Sequence, residues 1–389
     1  MKILKIVFKN AFRHKLRSLL TATGIAIAII AFGLLRTVID AYYIGIEASS
    51  DTRLITSNAV SLTFFLPISC KNKIEQIEGV SKVCQSFWFG GTYIDQKNFF
   101  AQFAVEAESF VELYPEFVLQ EDQKKNFLQE RNSCIVGRKL ANKYGWEEGD
   151  TFRIVGTIWP GDWDFVIRGI YDGRDKATDE SSMYFHWSYI DERMEQTSPG
   201  RAGRAGWFYV GLNSRDDIVR VSEEIDAMFK NSMAETKTET EKEFQQSFIS
   251  MVGTVINAVR IISIVVIAII LLVLANTMIM TARERIGEYA VLKTLGFKPS
   301  HISSLIFGES LTIALFGGLL GLGLTLIIVK RFGAFLENNM GGFFPIFEIS
   351  NTTLSLAILA ALAVGLIAAI FPTITAVKMK ISDGLRQIG

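Results

Sequence analysis

The sequence predicts a membrane protein with four transmembrane α-helices and an α+β extracytoplasmic domain between helices 1 and 2. Three observations carry that prediction. Of 389 residues 49% are hydrophobic and 21% charged, and the apolar ones gather in four runs, residues 19–35, 261–280, 303–329 and 352–371. Each run approaches the ~20 residues that a helix rising ~1.5 Å per residue needs to cross a ~30 Å hydrocarbon core. Between the first two runs lies a polar-rich stretch of roughly 200 residues, the size of an autonomous domain. Lys2, Lys5, Lys9, Arg13, Lys15 and Arg17 precede the first run without an acidic residue, which by the positive-inside rule places the amino terminus in the cytoplasm. Four spans return the carboxyl terminus to that side.

Residues 1–18 read as a cytoplasmic amphipathic segment and residues 19–45 as the first transmembrane helix with an external extension. The helical pattern continues through Val38, Tyr42 and Ile46 with no small-x-small cleavage site, so the segment is retained, unlike a signal peptide. Residues 46–243 form the external domain. There a short helix at 74–77 is expected to end at Gly79, with strands at 87–94 and 99–105 around a Gly-Gly turn. A helix at 136–144 is closed by Gly145. Strands at 151–156, 165–170 and 208–212 and a helix at 216–229 follow. Cys70, Cys84 and Cys134 all fall in this domain; an odd count leaves at least one thiol free, and either a Cys70–Cys84 bridge or three free thiols fits.

Residues 244–280 form a stalk and the second transmembrane helix. Phe244, Phe248, Met251, Val255, Ala258 and Ile262 recur at alternating steps of four and three, a heptad seam that begins outside the bilayer and runs into it without a proline. The stripe either pairs with the extension of the first helix or packs under the external domain. Residues 281–302 form a cytoplasmic loop, 303–329 the third span, 330–351 a short external loop, 352–372 the fourth span and 373–389 a cytoplasmic tail. Arg283, Arg285, Lys293 and Lys298 in the loop and Lys378, Lys380 and Arg386 in the tail agree with this topology, while Lys330 and Arg331 fall outside and snorkel. Gly317 with Gly321, and Ala357, Ala361, Gly365 and Ala369, offer small faces for close helix packing, on each other or on a partner subunit.

Catalytic constellations are missing. His14, His186 and His301 are scattered, which rules out an H-E-x-x-H metal site, and no G-x-S-x-G elbow or G-x-x-x-x-G-K-[ST] phosphate loop occurs. The chain is therefore read as no enzyme, without a cofactor or metal of its own; ATP and Mg would be bound by a partner ATPase. A net charge of zero gives no argument for nucleic acid.

The cytoplasmic loop carries a short amphipathic helix, with Ile286, Tyr289, Leu292 and Leu295 on its apolar stripe, Arg285, Glu288 and Lys293 on its polar side, a stop at Gly296 and a seal at Pro299. It resembles the coupling helix of the MacB/FtsX/LolC-LolE permease family, roughly E-R-x-R-E-I-G-x-L-R-A-L-G. Glu284, Arg285, Glu288, Leu292, Leu295 and Gly296 match it; Tyr289, Ala290, Lys293 and Thr294 stand for Ile, Gly, Arg and Ala, and Gly287 replaces the second Arg. The segment from Asn10 to Gly24 resembles the family's N-L-R-R-N-K-L-R-T-x-L-T-x-L-G. Pro372, Ala376, Lys378, Asp383, Leu385 and Arg386 resemble its carboxyl-terminal motif, with Ile381 in place of the second Pro and Gly384 in place of Ala. Val136 to Ala141 and Glu148 to Asp150 match the external domain in outline.

The resemblance implies a mechanotransmission permease of the bacterial inner membrane, its large domain periplasmic or extracellular. Its expected partners are a cytoplasmic ABC ATPase subunit, a second copy of this permease or a related one, and the lipid bilayer, with a periplasmic adaptor left open. Efflux or extraction of a drug, peptide, lipid or lipoprotein is the implied work, and an FtsX-like regulator of envelope hydrolases is the alternative. The implied ATPase-coupling residues are Glu284, Arg285, Glu288, Tyr289, Leu292, Lys293, Leu295 and Gly296, and the stalk residues Phe244, Phe248, Met251 and Val255. Glu309, about two turns into the third span, is costly in lipid unless it pairs or reaches water; a conformational latch or ATPase-side contact and a capped interfacial carboxylate both fit.

Overall fold

The computed structural model describes the backbone of residues 2–47, 50, 52–96, 98–175, 178–251, 253–340 and 347–381, and their side chains apart from 2–6, 42–47, 248–251 and 334–340. Asp383, Gly384, Leu385 and Arg386, and the Phe248 and Met251 side chains, thus lie outside the described residues. The chain divides into two compact units, residues 1–40, 253–333 and 347–389 forming one and residues 41–252 and 334–346 the other.

The first unit is a helical bundle. Among the described residues four helices are long and apolar enough to cross a membrane, over Lys15–Ala41, Gly253–Glu284, Pro299–Gly333 and Asn351–Lys378. The third begins at Pro299, whose missing N–H costs nothing at a first helical position. The small-residue faces act within the chain. A Cβ on Gly317 would stand 2.6 Å from the Ala22 carbonyl oxygen and one on Gly321 2.7 Å from that of Ala26, so glycine is what lets the third span touch the first. Gly318 meets Ala361 and Gly365 meets Ala314 in the same way, joining third and fourth spans. At the far end Asp40 accepts hydrogen bonds from Ser350 and Thr353, each at 2.6 Å, on the first turn of the fourth span.

The second unit is built on an eleven-stranded mixed sheet whose main path runs Thr236–Thr240, Arg53–Asn58, Trp207–Leu212, Val80–Trp88, Gln102–Val105, Met183–His186, Ser133–Gly137, Gly161–Gly173, Thr151–Gly156 and Gly91–Thr92. Two neighbouring pairs are parallel, Gln102–Val105 with Met183–His186 and Ser133–Gly137 with Gly161–Gly173. Period-two burial explains the long hairpin: Phe152, Ile154, Trp163, Phe165 and Ile167 point in, while Arg153, Asp162 and Asp164 point out. Aromatic rings fill the interior, Phe89 meeting Trp163, Phe165 and Phe185 edge to face.

Several local expectations shift. The helix placed at 74–77 occupies Ser69–Ile74, and Gly79 follows in the left-handed region. No single strand spans 87–94: the strand ends at Trp88, and Gly90, at φ +62°, turns the chain before Gly91–Thr92. The helix read from 136 starts at Arg138, because Ser133–Gly137 is a strand buried on both faces; Gly145 closes it in the left-handed conformation. Helical structure also continues past 329 to Met340. All three cysteines are buried and free, so Cys70 and Cys84 form no bridge.

His186 is 8% exposed and its Nε2 lies 2.6 Å from the Phe127 carbonyl oxygen. Burial pushes the imidazole below its ordinary value of 6.5; that carbonyl works against the shift and Arg131 adds to it. The folded chain then binds fewer protons than the unfolded one just below pH 6.5, so this contribution to stability is complete above 6.5 and is lost as the pH falls. Thermal unfolding of the whole chain from pH 7.5 to 5.5 should fall more steeply for the native chain than for His186→Asn. Equal slopes would remove His186 as a source.

Where the chain comes into and leaves the sheet, Arg53 is 6% exposed. Its Nε donates to Glu241 at 2.8 Å, its Nη1 to the Leu113 carbonyl at 2.8 Å and its Nη2 to Glu116 at 2.5 Å. Its guanidinium lies 4.0 Å over the Tyr114 ring, whose hydroxyl donates to Glu241 at 3.0 Å. Glu241 opens the helix Glu241–Met251, so this cluster joins the first and last elements of the domain.

Candidate functional site

One end of the bundle gathers the charged residues of the loop between the second and third spans. The second span stops at Glu284 and a new helix, Ile286–Thr294, starts at once, because Arg285 takes a non-helical φ of −106° and ψ of 15°. That helix ends in a Schellman motif: the Gly296 N–H donates to the Lys293 carbonyl and the Phe297 N–H to that of Leu292, at 3.1 and 3.0 Å, with Gly296 at φ +86°. The sequence therefore fixes a helix of nine residues with sharp ends, turned out of line with the span before it.

Its polar side chains work inward. Arg285 is 7% exposed; its Nη1 donates to Glu309 at 2.5 Å and its Nε to Glu288 at 2.8 Å. Glu288 also accepts from Arg13 Nη1 at 2.5 Å. Glu309, 2% exposed, is thus a buried carboxylate paired with a buried guanidinium, the arrangement that makes such a charge tolerable inside a bundle. Burial alone would raise the Glu288 carboxyl, but the hydrogen bonds and charges of Arg285 and Arg13 outweigh it and hold the group below the usual carboxylate range. Burial likewise works against the Arg285 charge, and the carboxylates of Glu309 and Glu288 overcome it. Beside this chain Arg17 grips Glu284 with two bonds of 2.7 Å, a bidentate fork of the strong kind.

Lys293 closes the other side. Its ammonium donates to the carbonyls of Val377 and Met379 at 2.9 and 2.7 Å, capping the carboxyl end of the fourth span, where unpaired carbonyls and the helix dipole favour a cation. Tyr289 is buried in the bundle core that also holds Ile302, Ile306 and Ala376, Ala290 is fully buried, and Leu292 is half-buried against that core. Exposed along this helix and just after it are Glu288, Thr294 and Lys298 together with the apolar Val291, Leu295 and Phe297, the last three 43, 70 and 45% exposed.

The expected coupling residues therefore divide. Arg285, Glu288, Tyr289 and Lys293 lock the short helix to its own bundle and Glu284 ties the end of the second span to Arg17, whereas Leu295 and Gly296 are exposed. The pattern had put Arg285 on the outward polar side; Glu309, one helix away, draws it in. Sequence reasoning missed Arg13 and Arg17 as partners, and Val291 and Phe297 as surface. Opposite-sign pairs at the same spacing, Arg13 with Arg17 and Glu284 with Glu288, were the available signal. Of the stalk residues, Phe244 packs against Trp207 at 6.3 Å between ring centroids, and Val255 is 62% exposed. Among the described residues no group of three or more His, Cys, Asp or Glu side chains could hold a metal ion.

Residues 18–228 match the family described as MacB-like periplasmic core domain, and residues 260–381 the one described as FtsX-like permease C-terminal. An uncharacterized ABC transporter permease of Methanocaldococcus jannaschii is 25% identical over 405 aligned residues, covering 99% of this chain and 97% of its own length. An uncharacterized ABC transporter permease protein of Mycobacterium tuberculosis is 22% identical over 252 residues, covering 64% of this chain and 28% of its own. Among solved structures, the periplasmic region of MacB from Actinobacillus actinomycetemcomitans aligns over 51% of this chain and 92% of its own at 11% identity, TM-score 0.35. The extracellular domain of the noncanonic ABC-type transporter YknZ from Gram-positive bacteria aligns over 48% and 100% at 15% identity, TM-score 0.35.

Proposed function

The chain belongs to the MacB/FtsX-like family of ABC transporter permeases, and on that premise we propose that it couples ATP hydrolysis by a separate cytoplasmic ATPase to conformational work of its external domain. Both termini and the helix Ile286–Thr294 lie on the cytoplasmic side of a cell membrane, and residues 41–252 lie outside. Two permease chains act together, each with its own ATPase subunit. The work done is efflux or extraction of a substrate already outside or in the outer leaflet.

The observation that supports this most is the division of labour on the short helix. Its charged residues are consumed in holding it to the bundle, through Arg285 to Glu309 and Lys293 to the fourth span. Beside Glu288 and Thr294, Val291 on its outward side and Leu295 and Phe297 just after its end are exposed. A helix so fixed cannot yield without moving the bundle, and its outward residues suit an apolar cleft on a protein partner. The ATPase surface is that partner, and the push it delivers passes to the second and third spans through Glu284, Arg285 and Glu309.

The double substitution Leu295→Glu with Phe297→Glu tests this. Both side chains are outward, so the permease should fold and insert normally. Co-purification of its cognate ABC ATPase should fall by about tenfold or more, the loss that truncating central interface anchors produces. Undiminished recovery of the ATPase with the doubly charged helix would sink the docking assignment.

A further inference from the structure

Arg13 and Arg17 account for only part of the amphipathic segment at residues 1–18. It opens with the helix Lys2–Ala11. Leu4, Val7, Phe8 and Ala11 recur at steps of three, one and three, and Lys2, Lys5 and Lys9 at three and four, a spacing that gathers the apolar residues on one side of the helix and the lysines on the other. The apolar side is docked on the third span. Val7 and Ala11 are buried, a Cβ on Gly308 would stand 3.0 Å from either Val7 methyl, and the Phe12 ring lies 5.4 Å from that of Phe316, edge to face. Gly308 is five residues into the apolar run that starts at residue 303, ~8 Å of helix. The helix Lys2–Ala11 therefore sits at the margin of the hydrocarbon.

Two kinds of side chain stay uncovered there. Phe8, Leu16, Leu19 and Leu20 are each more than half exposed. Lys9 and Lys15 are exposed and make no ion pair among the described residues. Nothing along the chain balances them, since Asp40 is the first acidic residue of the sequence. The carboxylates that pair with this segment, Glu288 and Glu284, are already held by Arg13 and Arg17. Apolar and cationic surface side by side suits a ligand with hydrocarbon at one end and negative charge at the other. A free phosphate or an acidic protein would leave Phe8 and the leucines in water, whereas a phospholipid covers both kinds. In a zwitterionic lipid the headgroup cation offsets the phosphate, so an anionic headgroup is the match.

We propose that the helix Lys2–Ala11 and the turn after it bind anionic phospholipid in the leaflet on the short helix's side, with Lys9 and Lys15 on the headgroups and Phe8 on the acyl chains. A lipid held there steadies the short helix through Arg13, which follows Ala11 by two residues and donates to Glu288 at 2.5 Å. The steadying step rests on the reading that the short helix receives the push of an ATPase. The lipid site itself does not.

Fluorescence quenching in the full chain tests it. Leu19→Cys, one turn beyond Lys15, carries the fluorophore, and the native thiols are buried. In phosphatidylcholine bilayers, brominated phosphatidylglycerol should bind beside the label at least about fivefold more tightly than brominated phosphatidylcholine, the attraction of one lysine near a charged surface. Lys9→Gln with Lys15→Gln should lose most of that preference, and Lys9→Arg with Lys15→Arg should keep it. Equal quenching by the two lipids in the native background, or an undiminished preference in the glutamine pair, overturns the site. ATP hydrolysis by the chain with its cognate ATPase should rise severalfold when phosphatidylglycerol is added to phosphatidylcholine bilayers, and stay flat in the glutamine pair. A lipid preference without that rise overturns the link through Arg13 while the site stands. An ATPase that never joins the chain removes the docking reading and leaves the quenching result to decide the site.

Discussion

Replacing Arg285 by alanine is expected to cost about 3–5 kcal/mol of stability, the penalty for leaving one member of a buried ion pair alone. The size follows from the surroundings. The Arg285 and Glu309 side chains are 9 and 3% exposed and 2.5 Å apart, so the orphaned carboxylate has no water to turn to. The pair itself, compared with two apolar groups of the same bulk, contributes little. Arg285→Met with Glu309→Leu should accordingly recover most of the loss, a strong coupling in a double-mutant cycle. Thermal unfolding of the four forms in detergent measures it. A single variant within about 0.5 kcal/mol of the native chain, the band of ordinary surface substitutions, would mean the pair is solvated. The repaired double variant also separates two roles, because it would be stable yet lack the polar tie between short helix and third span. Its ATPase should bind but lose its coupling to the permease.

The second large effect lies in the external domain. Arg53→Ala should also cost about 3–5 kcal/mol, since Glu241 is left 8% exposed beside a partner 22% exposed, with the Leu113 carbonyl unserved. Arg138→Ala serves as the contrast: its bidentate bonds to Asp172 are 2.8 and 3.0 Å long, yet the two side chains are 43 and 54% exposed, and solvent-screened pairs are worth about 0–1 kcal/mol. Chemical denaturation of the whole chain followed by tryptophan fluorescence distinguishes them. Equal losses would refute burial as the cause.

The four spans were legible because an apolar run of membrane length is a signal carried by one stretch of chain. Gly145, Gly296 and Pro299 were legible for a similar reason, each being a local backbone demand. Strands were harder where both faces are buried. Ser133–Gly137 and the stretch Val83–Phe87 have no alternation to read, since Cys84, Gln85 and Ser86 are all interior, so the end of the first is read as the start of a helix and the second is placed too late, at 87–94. The candidate site failed at one kind of question only. A stripe on a short helix tells which residues share a face, but which face meets the parent bundle depended on Glu309 and on the fourth span's carbonyls, far away in sequence. Phe244 shows the same limit: its spacing fits the seam, while Trp207 claims it for the external domain.

The pairing of the first and last strands of that domain has a mechanical meaning. Arg53–Asn58 and Thr236–Thr240 are antiparallel neighbours, with Leu54 opposite Thr240, so the incoming and outgoing chain are attached at the same end of the pair. Tension between those two attachments would peel the strands apart one rung at a time, like a zipper pulled from its open end, instead of shearing all rungs together. The Arg53 cluster sits at that open end. It is the first thing such a load meets, and its rupture force sets how much pull the sheet can take before it begins to open.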